Sequence, residues 1–275
     1  MRRITAFLFT CFLPLVVVSQ TTNQSDSLTF VQQQWSTHKI GKGIVWKSAS
    51  FPSIFDSQQV INIIELDLKK NRKKLGLKAL PTSRELTSKL AQEANALAAI
   101  NGGFFDMRNG GAVDFIKVNN QVVNYSRSKN SRGAYFAFDN KNVIIADDSL
   151  QVVRFPNVML AGPLLLKDNH TLVLAKNAFN DNRHPRTALG IKGNKLILIT
   201  VDGRRSQSQG VSLPELTKLI RWYGCQDGMN LDGGGSTAMY IHGQPNNGIV
   251  SFPSDNQKFD HQGERKVSNI IYIAK

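Results

Sequence analysis

The stretch NLDGGGST, Asn230 to Thr237, places an acid at the end of an apolar run, then three glycines, then two hydroxyls. Gly233, Gly234 and Gly235 have no side chains, so the backbone there can approach a ligand and adopt positive φ. Consecutive amides in such a loop form a concave nest for an anion. A tight turn would use the same glycines, but Asp232 at the lip adds a group that can orient or deprotonate a substrate hydroxyl. The stretch is no phosphate loop, since it lacks a Gly-Lys-Ser/Thr ending and no GxGxxG opens a helix. Ser236 has no evident histidine–acid partners and no G-x-S-x-G elbow, which argues against a serine hydrolase.

INGGFF repeats the design, with an apolar run, Asn101, two glycines and two aromatics. Asn101 can hydrogen-bond a sugar, and Phe104 or Phe105 can stack on its face; a structural turn with core phenylalanines fits equally. A third constellation is RTALGIKGNKLILITVDG, a hairpin carrying Arg186 and Asp202 at its open end. A two-residue turn at Gly193–Asn194 puts Thr187 and Asp202 on one face; a three-residue loop puts Arg186 there instead. Glu215 stands at the capping-box position of a helix, which suffices to explain it. His184, His242 and His261 show no ligand spacing, so no metal and no cofactor is expected.

The elements that must position these groups are mostly strands. VINIIELDL (Val60 to Leu68) is long and β-branched enough for a buried strand. AVDFIKVNNQVVNY turns at Asn119–Asn120 and GAYFAFDNKNVIIAD near Asn140, each a hairpin. VMLAGPLLL, TLVLA, MNLD, STAMYIHG and VSNIIYIA read as further strands, and GIVWK as an edge strand. Two helices are expected. One runs from a Thr82/Glu85 capping box through Leu86, Leu90, Ala94 and Leu97. The other is capped by Ser212 with Leu213, Leu216, Leu219, Ile220 and Tyr223 buried, and ends at Gly224. Hairpins plus a few amphipathic helices predict an α+β fold, β-rich, with mixed or antiparallel sheets.

The 275 residues suffice for one sizeable core. Two arginines, an apolar run from Ile4 to Val18 and the small Ser19 predict a signal peptide over residues 1–19 and export to the periplasm or the extracellular space. Residues 20–50 are expected as a polar linker or N-terminal extension, and 51–275 as one catalytic domain. Removing the leader removes Cys11 and leaves Cys225 alone, so no internal disulfide is expected. The net charge of +14 points to anionic partners. Export disfavours nucleic acid, no aromatic interleaving accompanies the KKNRKK cluster, and no membrane span is expected after cleavage.

NGGFF, RTALGI…LILITVDGR, GVSLPEL, NLDGGGST, SFPSD and RKVSNIIYI, in this order, resemble the phosphodiester glycosidase family. The resemblance covers about Ala94 to Ala274. It implies hydrolysis of a sugar-1-phosphodiester of the N-acetylglucosamine-α-1-phospho-sugar type, releasing the sugar and leaving a phosphomonoester. Matching the motifs implies Asp202, Asp232 and Glu215 as catalytic candidates. It implies Asn101, Gly102, Gly103, Arg186, Thr187, Asn230, Gly233, Gly234, Gly235, Ser236, Thr237 and Arg265 as substrate-binding ones. The chain departs from mammalian members at Arg204, where they carry Gln, at Thr237-Ala238 in place of Ala-Thr, and in lacking their disulfides and downstream modules. These departures bear on the glycan more than on the reaction. A bacterial-type exported relative with its own phosphodiester-linked glycan is the resulting expectation.

A phosphomonoester leaves far more readily than a sugar alcohol, so strong acid assistance is less necessary. Arg186 suits the phosphate by its planar fork, with Arg265 a second candidate, and Asp202 or Asp232 is the base or nucleophile. A non-catalytic module for anionic glycans, or a phosphodiesterase cutting P–O, would use the same residues.

Overall fold

The computed structural model describes residues 21–127 and 133–275; the expected signal peptide lies outside them. An eight-stranded sheet runs in the order Ser36–Gly41, Ile44–Ile54, Ser57–Asp67, Lys195–Val201, Arg186–Lys192, Asp227–Asn230, Leu164–Lys167, His170–Thr171. A five-stranded sheet (Val143–Ala146, Ala134–Phe138, Asn157–Ala161, Ile116–Val118, Gln121–Asn124) and a four-stranded one (Met239–Ile241, Ala96–Asn101, Asn269–Ala274, Leu75–Ala79) accompany it. Neighbouring strands pair antiparallel in all of them. The fold is therefore α+β and β-rich, as its hairpin signals predict.

Period-2 alternation decides what each face of the large sheet meets. Ile64, Leu66, Leu196, Leu198, Leu189 and Met229 point inward and pack against Ile100, Phe136, Met159 and Ile271 of the two smaller sheets. Ile61, Ile63, Ile197, Ile199, Ala188 and Val201 point the other way, under the helix Leu213–Trp222. That helix is the one the sequence marks most plainly. Ser212 and Glu215 make both bonds of the capping box, and Leu213, Leu216, Leu219 and Ile220 are buried.

The Asn119–Asn120 hairpin forms with both asparagines at positive φ, as a type I′ turn requires. The Gly193–Asn194 hairpin has its two-residue turn, pairing Lys192 with Lys195 and Thr187 with Thr200.

One expectation is refined and three need correction. Of the linker or N-terminal extension expected over residues 20–50, the described residues 21–50 form a structured extension: they hold a helix, Thr21–Val31, a strand, Ser36–Gly41, and the start of Ile44–Ile54. Phe30 and Trp35 explain this, because they pack with Phe51, Trp222 and Tyr223 in one aromatic cluster. GIVWK belongs to an eleven-residue strand flanked on both sides, not to an edge. The first expected helix shrinks to Thr87–Glu93. Glu85 and Leu86 pair instead with Val267 and Lys266, and Asn95 turns the chain at φ +49 so that Leu97 enters a strand. TLVLA contributes only Thr171 to a strand, and Val173 is left 99% exposed.

Candidate active site

Three strand ends meet at Pro185. The Gly234 amide donates to the Pro185 carbonyl at 2.8 Å. A Cβ on Gly233 would stand 2.7 Å from that same oxygen, and one on Gly203 would stand 2.8 Å from the Pro185 nitrogen. Such distances exclude any side chain, so these glycines let the 184–186, 202–204 and 232–235 segments touch backbone to backbone.

Behind them lies a buried polar cluster. Thr187 Oγ1 donates to Asn101 Oδ1 at 2.7 Å. The same oxygen accepts from the Ala238 amide at 3.2 Å, and Asn101 Nδ2 donates to the Asp232 carbonyl at 2.7 Å. Thr237 Oγ1 lies 3.4 Å from Thr187 Oγ1. Asn230 Nδ2 donates to the Gly162 and Leu231 carbonyls at 3.0 and 2.6 Å. Its Oδ1 has no partner among the described residues. Asn101 thus fixes the backbone on both sides of the glycine loop. Gly102 is bare because Asn269 occupies its space: the Asn269 Oδ1 would stand 2.2 Å from a Cβ there, and it accepts from the Gly103 amide at 2.6 Å.

Two guanidinium groups converge on the triple glycine. A Cβ on Gly234 would stand 3.0 Å from Arg204 Nη2, and one on Gly235 would stand 2.5 Å from Arg265 Nη2. Gly234 itself sits at φ +62. Arg265 is paired with Asp255 at 2.5 Å, whereas the Arg204 guanidinium has no hydrogen-bond or ion-pair partner among the described residues. Partial burial lowers the Arg204 pKa, and the nearby Arg265 charge lowers it further. His184 is also pushed down, by burial and then by the charges of Arg186 and Arg204. The region carries an excess of positive charge beside a bare backbone loop, an arrangement that favours an anion.

Both aspartates are held above the ordinary carboxylate range by burial. Asp232 is raised to about 6 despite the opposing Ser236 hydroxyl, Gly233 amide and Arg265 charge; its Oδ1 accepts from the Gly233 amide at 2.9 Å. Ser236 is buried at 1% exposure. Asp202 is fully buried and raised to about 7. Its Oδ1 accepts from the Phe252 amide at 2.9 Å, and its Oδ2 has no partner among the described residues.

Arg186 and Glu215 are bonded into the scaffold, although the Arg186 Cδ would stand 3.7 Å from a Cβ on Gly233. The two-residue turn puts Arg186 on the helix side of the sheet, opposite to Thr187. There it is 2% exposed and donates to the carbonyls of Val211 at 2.9 Å, Phe179 at 2.7 Å and Asn182 at 2.9 Å. Its fork ties the 179–182 segment to the start of the helix. Glu215 accepts from the Ser212 amide at 2.8 Å and from Arg183 Nη2 at 2.6 Å. Among the described residues no group of three or more His, Cys, Asp or Glu side chains is arranged to hold a metal ion.

Arg204, Asp255 and Phe252 were not singled out as site residues by sequence. Arg204 was visible only as a departure from a pattern, and SFPSD, which contains Phe252 and Asp255, only as a matching motif. Their placement depends on a long-range fold-back: the 251–265 loop reaches over the 202–204 turn, and no periodicity announces that. No helix among the described residues is long and apolar enough to cross a membrane.

The model of the phosphodiester glycosidase family matches residues 94–274. The mouse N-acetylglucosamine-1-phosphodiester alpha-N-acetylglucosaminidase is 26% identical over 205 residues, 66% of this chain and 38% of its own length. The chain thus spans about two fifths of that relative. The zebrafish enzyme's catalytic domain, solved auto-inhibited by its pro-peptide, superposes with a TM-score of 0.68 at 21% identity, covering 88% of this chain and 87% of that one. A protein from Synechocystis has a TM-score of 0.70 at 15% identity, covering 88% and 64%. Most of the chain, including every strand end that meets at Pro185, falls within the matched span, and the chain belongs to the phosphodiester glycosidase family.

Proposed function

We propose that the protein is an exported glycosidase that hydrolyses a sugar-1-phosphodiester at the bond between the anomeric carbon and the phosphate oxygen. The observation that carries this reading is the convergence of Arg204 and Arg265 on Gly234 and Gly235, beside the Asp232 carboxyl. The two guanidinium groups and the loop amides hold the phosphate oxygens. On binding, the anion competes with Asp255 for Arg265 and neutralises the strain between two like charges.

Asp232 is the favoured reacting carboxylate. Held near pH 6, it is largely ionised at neutral pH yet still basic enough to accept a proton or attack carbon. The anomeric C–O bond breaks with its electron pair going to the phosphate oxygen. The developing positive charge on the ring is met by Asp232, the oxygen of water ends on the anomeric carbon, and the proton that water gives up passes through Asp232 to solvent. The phosphate leaves as a monoester dianion, stabilised by both arginines, so little proton donation is needed.

Asp202 is a positioning residue in this reading. Its carboxyl clamps the loop that carries Arg265, and its backbone begins the turn that carries Arg204. A second reading makes Asp202 the proton donor, favoured by its unpartnered Oδ2 and its pKa of about 7.

A panel of sugar-1-phosphodiesters, scored for free sugar in oxygen-18 water, tests the reaction. Label in the sugar supports C–O cleavage. Label in the phosphate replaces the glycosidase with a phosphodiesterase, and binding without turnover replaces both with a glycan-binding module. N-acetylglucosamine is the sugar named for the mouse and zebrafish relatives and heads the panel. The leader over residues 1–19 supports export.

A further inference from the structure

The inward face of the large sheet continues past the candidate site. Cross-strand pairing joins Thr200 to Asn62 and Asn62 to Ser48, and the Asp202 amide bonds the Val60 carbonyl at 3.0 Å. A pocket of about 450 Å³ opens over these rows. Val60 and Asn62 line it from the strand Ser57–Asp67, Trp46 and Ser48 from the neighbouring strand Ile44–Ile54, and Phe252 and His261 from the loop. Phe252 therefore has two sides: its backbone holds Asp202, and its residue lines this second cavity.

The polar groups here are set by their partners. Asn62 is 1% exposed, and its Oδ1 accepts from Trp46 Nε1 at 3.1 Å. An indole N–H only donates, so the amide cannot be the other way round, and Nδ2 is the group left over. That Nδ2 has no partner among the described residues, in a fold that otherwise bonds most buried polar atoms. His261 Nδ1 lies 2.7 Å from the Ser251 carbonyl and must donate to it. Its Nε2 is then an acceptor in the uncharged ring.

The aromatic groups are equally fixed. His38 stacks on Trp46 at 4.9 Å, and Phe252 stacks on Phe259 at 4.1 Å and meets the His261 ring, tilted by 32°, at 4.2 Å. Among the described residues no Asp, Glu, Lys or Arg lines the pocket, in a chain of net charge +14. A ligand matched to aromatic walls, the Asn62 donor, the His261 acceptor, the neutral polar groups of Gln33, Gln34, Ser36, Ser48 and Ser50 and no charge is itself uncharged, hydroxylated and partly apolar. A pyranose ring has that chemistry, with C–H groups on its faces and hydroxyls at its edge.

We propose that this pocket is a binding subsite for a neutral sugar ring, held by the Asn62 amide and His261 against Trp46. Its role as a remote subsite of a glycan substrate rests on the function proposed above; its capacity to bind a sugar does not. Occupancy would reach the candidate site through Phe252, whose amide fixes the Asp202 carboxyl.

The test uses the whole protein with 15N-labelled tryptophan indoles, three in the chain, the Trp46 signal being assigned by its loss in Trp46→Phe. Methyl glycosides of glucose, galactose, mannose and N-acetylglucosamine are titrated in turn. At least one is expected to shift the Trp46 indole saturably with a Kd of about 1 mM, the level of a single weak subsite. Asn62→Leu should weaken that binding about tenfold, which corresponds to one buried hydrogen bond, with His261→Ala as the second variant should Asn62→Leu not fold. Asp232→Asn and Arg204→Gln should leave it within about twofold, since those groups lie outside the pocket. No saturable shift with any glycoside overturns the proposal, as does a shift that a folded Asn62→Leu or His261→Ala protein retains in full. Sugar binding without any phosphodiester cleavage would instead reject the proposed reaction and keep the subsite.

Discussion

The Phe252 amide donates to Asp202 Oδ1 at 2.9 Å, and this bond ties together the two segments that bring arginines to the triple glycine. Arg204 lies two residues beyond Asp202, and Arg265 is on the loop that Phe252 begins. The acid that the sequence marks as a reaction candidate is thus fully buried and bonded to the scaffold of the proposed anion site.

Asp202→Asn should separate a clamp from a proton donor. Burial raises the Asp202 pKa from 3.8 in the unfolded chain to about 7. The folded state therefore holds this proton more tightly. The contribution is fully present below about pH 4 and is lost as pH rises through about 7. Relative to wild type, Asp202→Asn should gain stability with rising pH, by an amount on the order of 2–4 kcal/mol at pH 8. Urea unfolding at pH 5 and pH 8 measures it; a difference that does not change with pH would show that Asp202 is ionised at both.

Asp232→Asn should lower kcat by about 100-fold or more with a smaller effect on KM, as for a group acting mainly in the transition state. Wild-type activity should rise with pH through about 6 as Asp232 ionises. A pH profile on a sugar-1-phosphodiester checks this, and an acid limb unchanged in Asp202→Asn assigns it to Asp232.

Gly235→Ala directs a methyl at Arg265 Nη2 and Asp255 Oδ1, each 2.5 Å from the Cβ position. Both are ends of flexible side chains, so the protein should fold while the Arg265–Asp255 pair is displaced. KM should rise about tenfold, the scale of one charge-assisted hydrogen bond. Steady-state kinetics with a matched melting temperature is the measurement.

Arg204→Gln installs the residue of the mammalian members. It removes one of the positive charges that depress His184, so the His184 pKa should move up, and NMR titration of its ring reads this. Inorganic phosphate bound to the wild-type protein should shift His184 in the same direction, and the response should shrink in the variant.

Arg186→Met should act on stability. The Phe179 and Asn182 carbonyls lose the Arg186 donor and the Val211 carbonyl keeps only the His184 amide, at a cost of about 3 kcal/mol. Glu215→Ala should cost about 1–2 kcal/mol through the helix cap and the Arg183 pair. Chemical denaturation of both variants checks the sizes; a folded Arg186→Met protein with normal stability and a large rise in KM would return Arg186 to the phosphate.

Sequence alone determined the elements whose signals are local. Alternation and turn residues marked the hairpins at Asn119–Asn120 and Gly193–Asn194, and Ser212 with Glu215 marked a strongly amphipathic helix. It also marked the bare loop at Gly233 to Gly235 with its acid, because glycine runs and a lone carboxyl are legible without a fold. Tertiary structure decided which cations serve that loop. Arg186 and Thr187 are neighbours in sequence, but in a strand they face opposite sides, and only the register sends one beneath the helix and the other to Asn101. Arg204 and Arg265 are separated by a helix and two strands, and their meeting at Gly234 and Gly235 depends on a loop folding back across the sheet. Local pattern reports the period of a chain and its turns; which distant charges share a cavity follows from how the sheets pack.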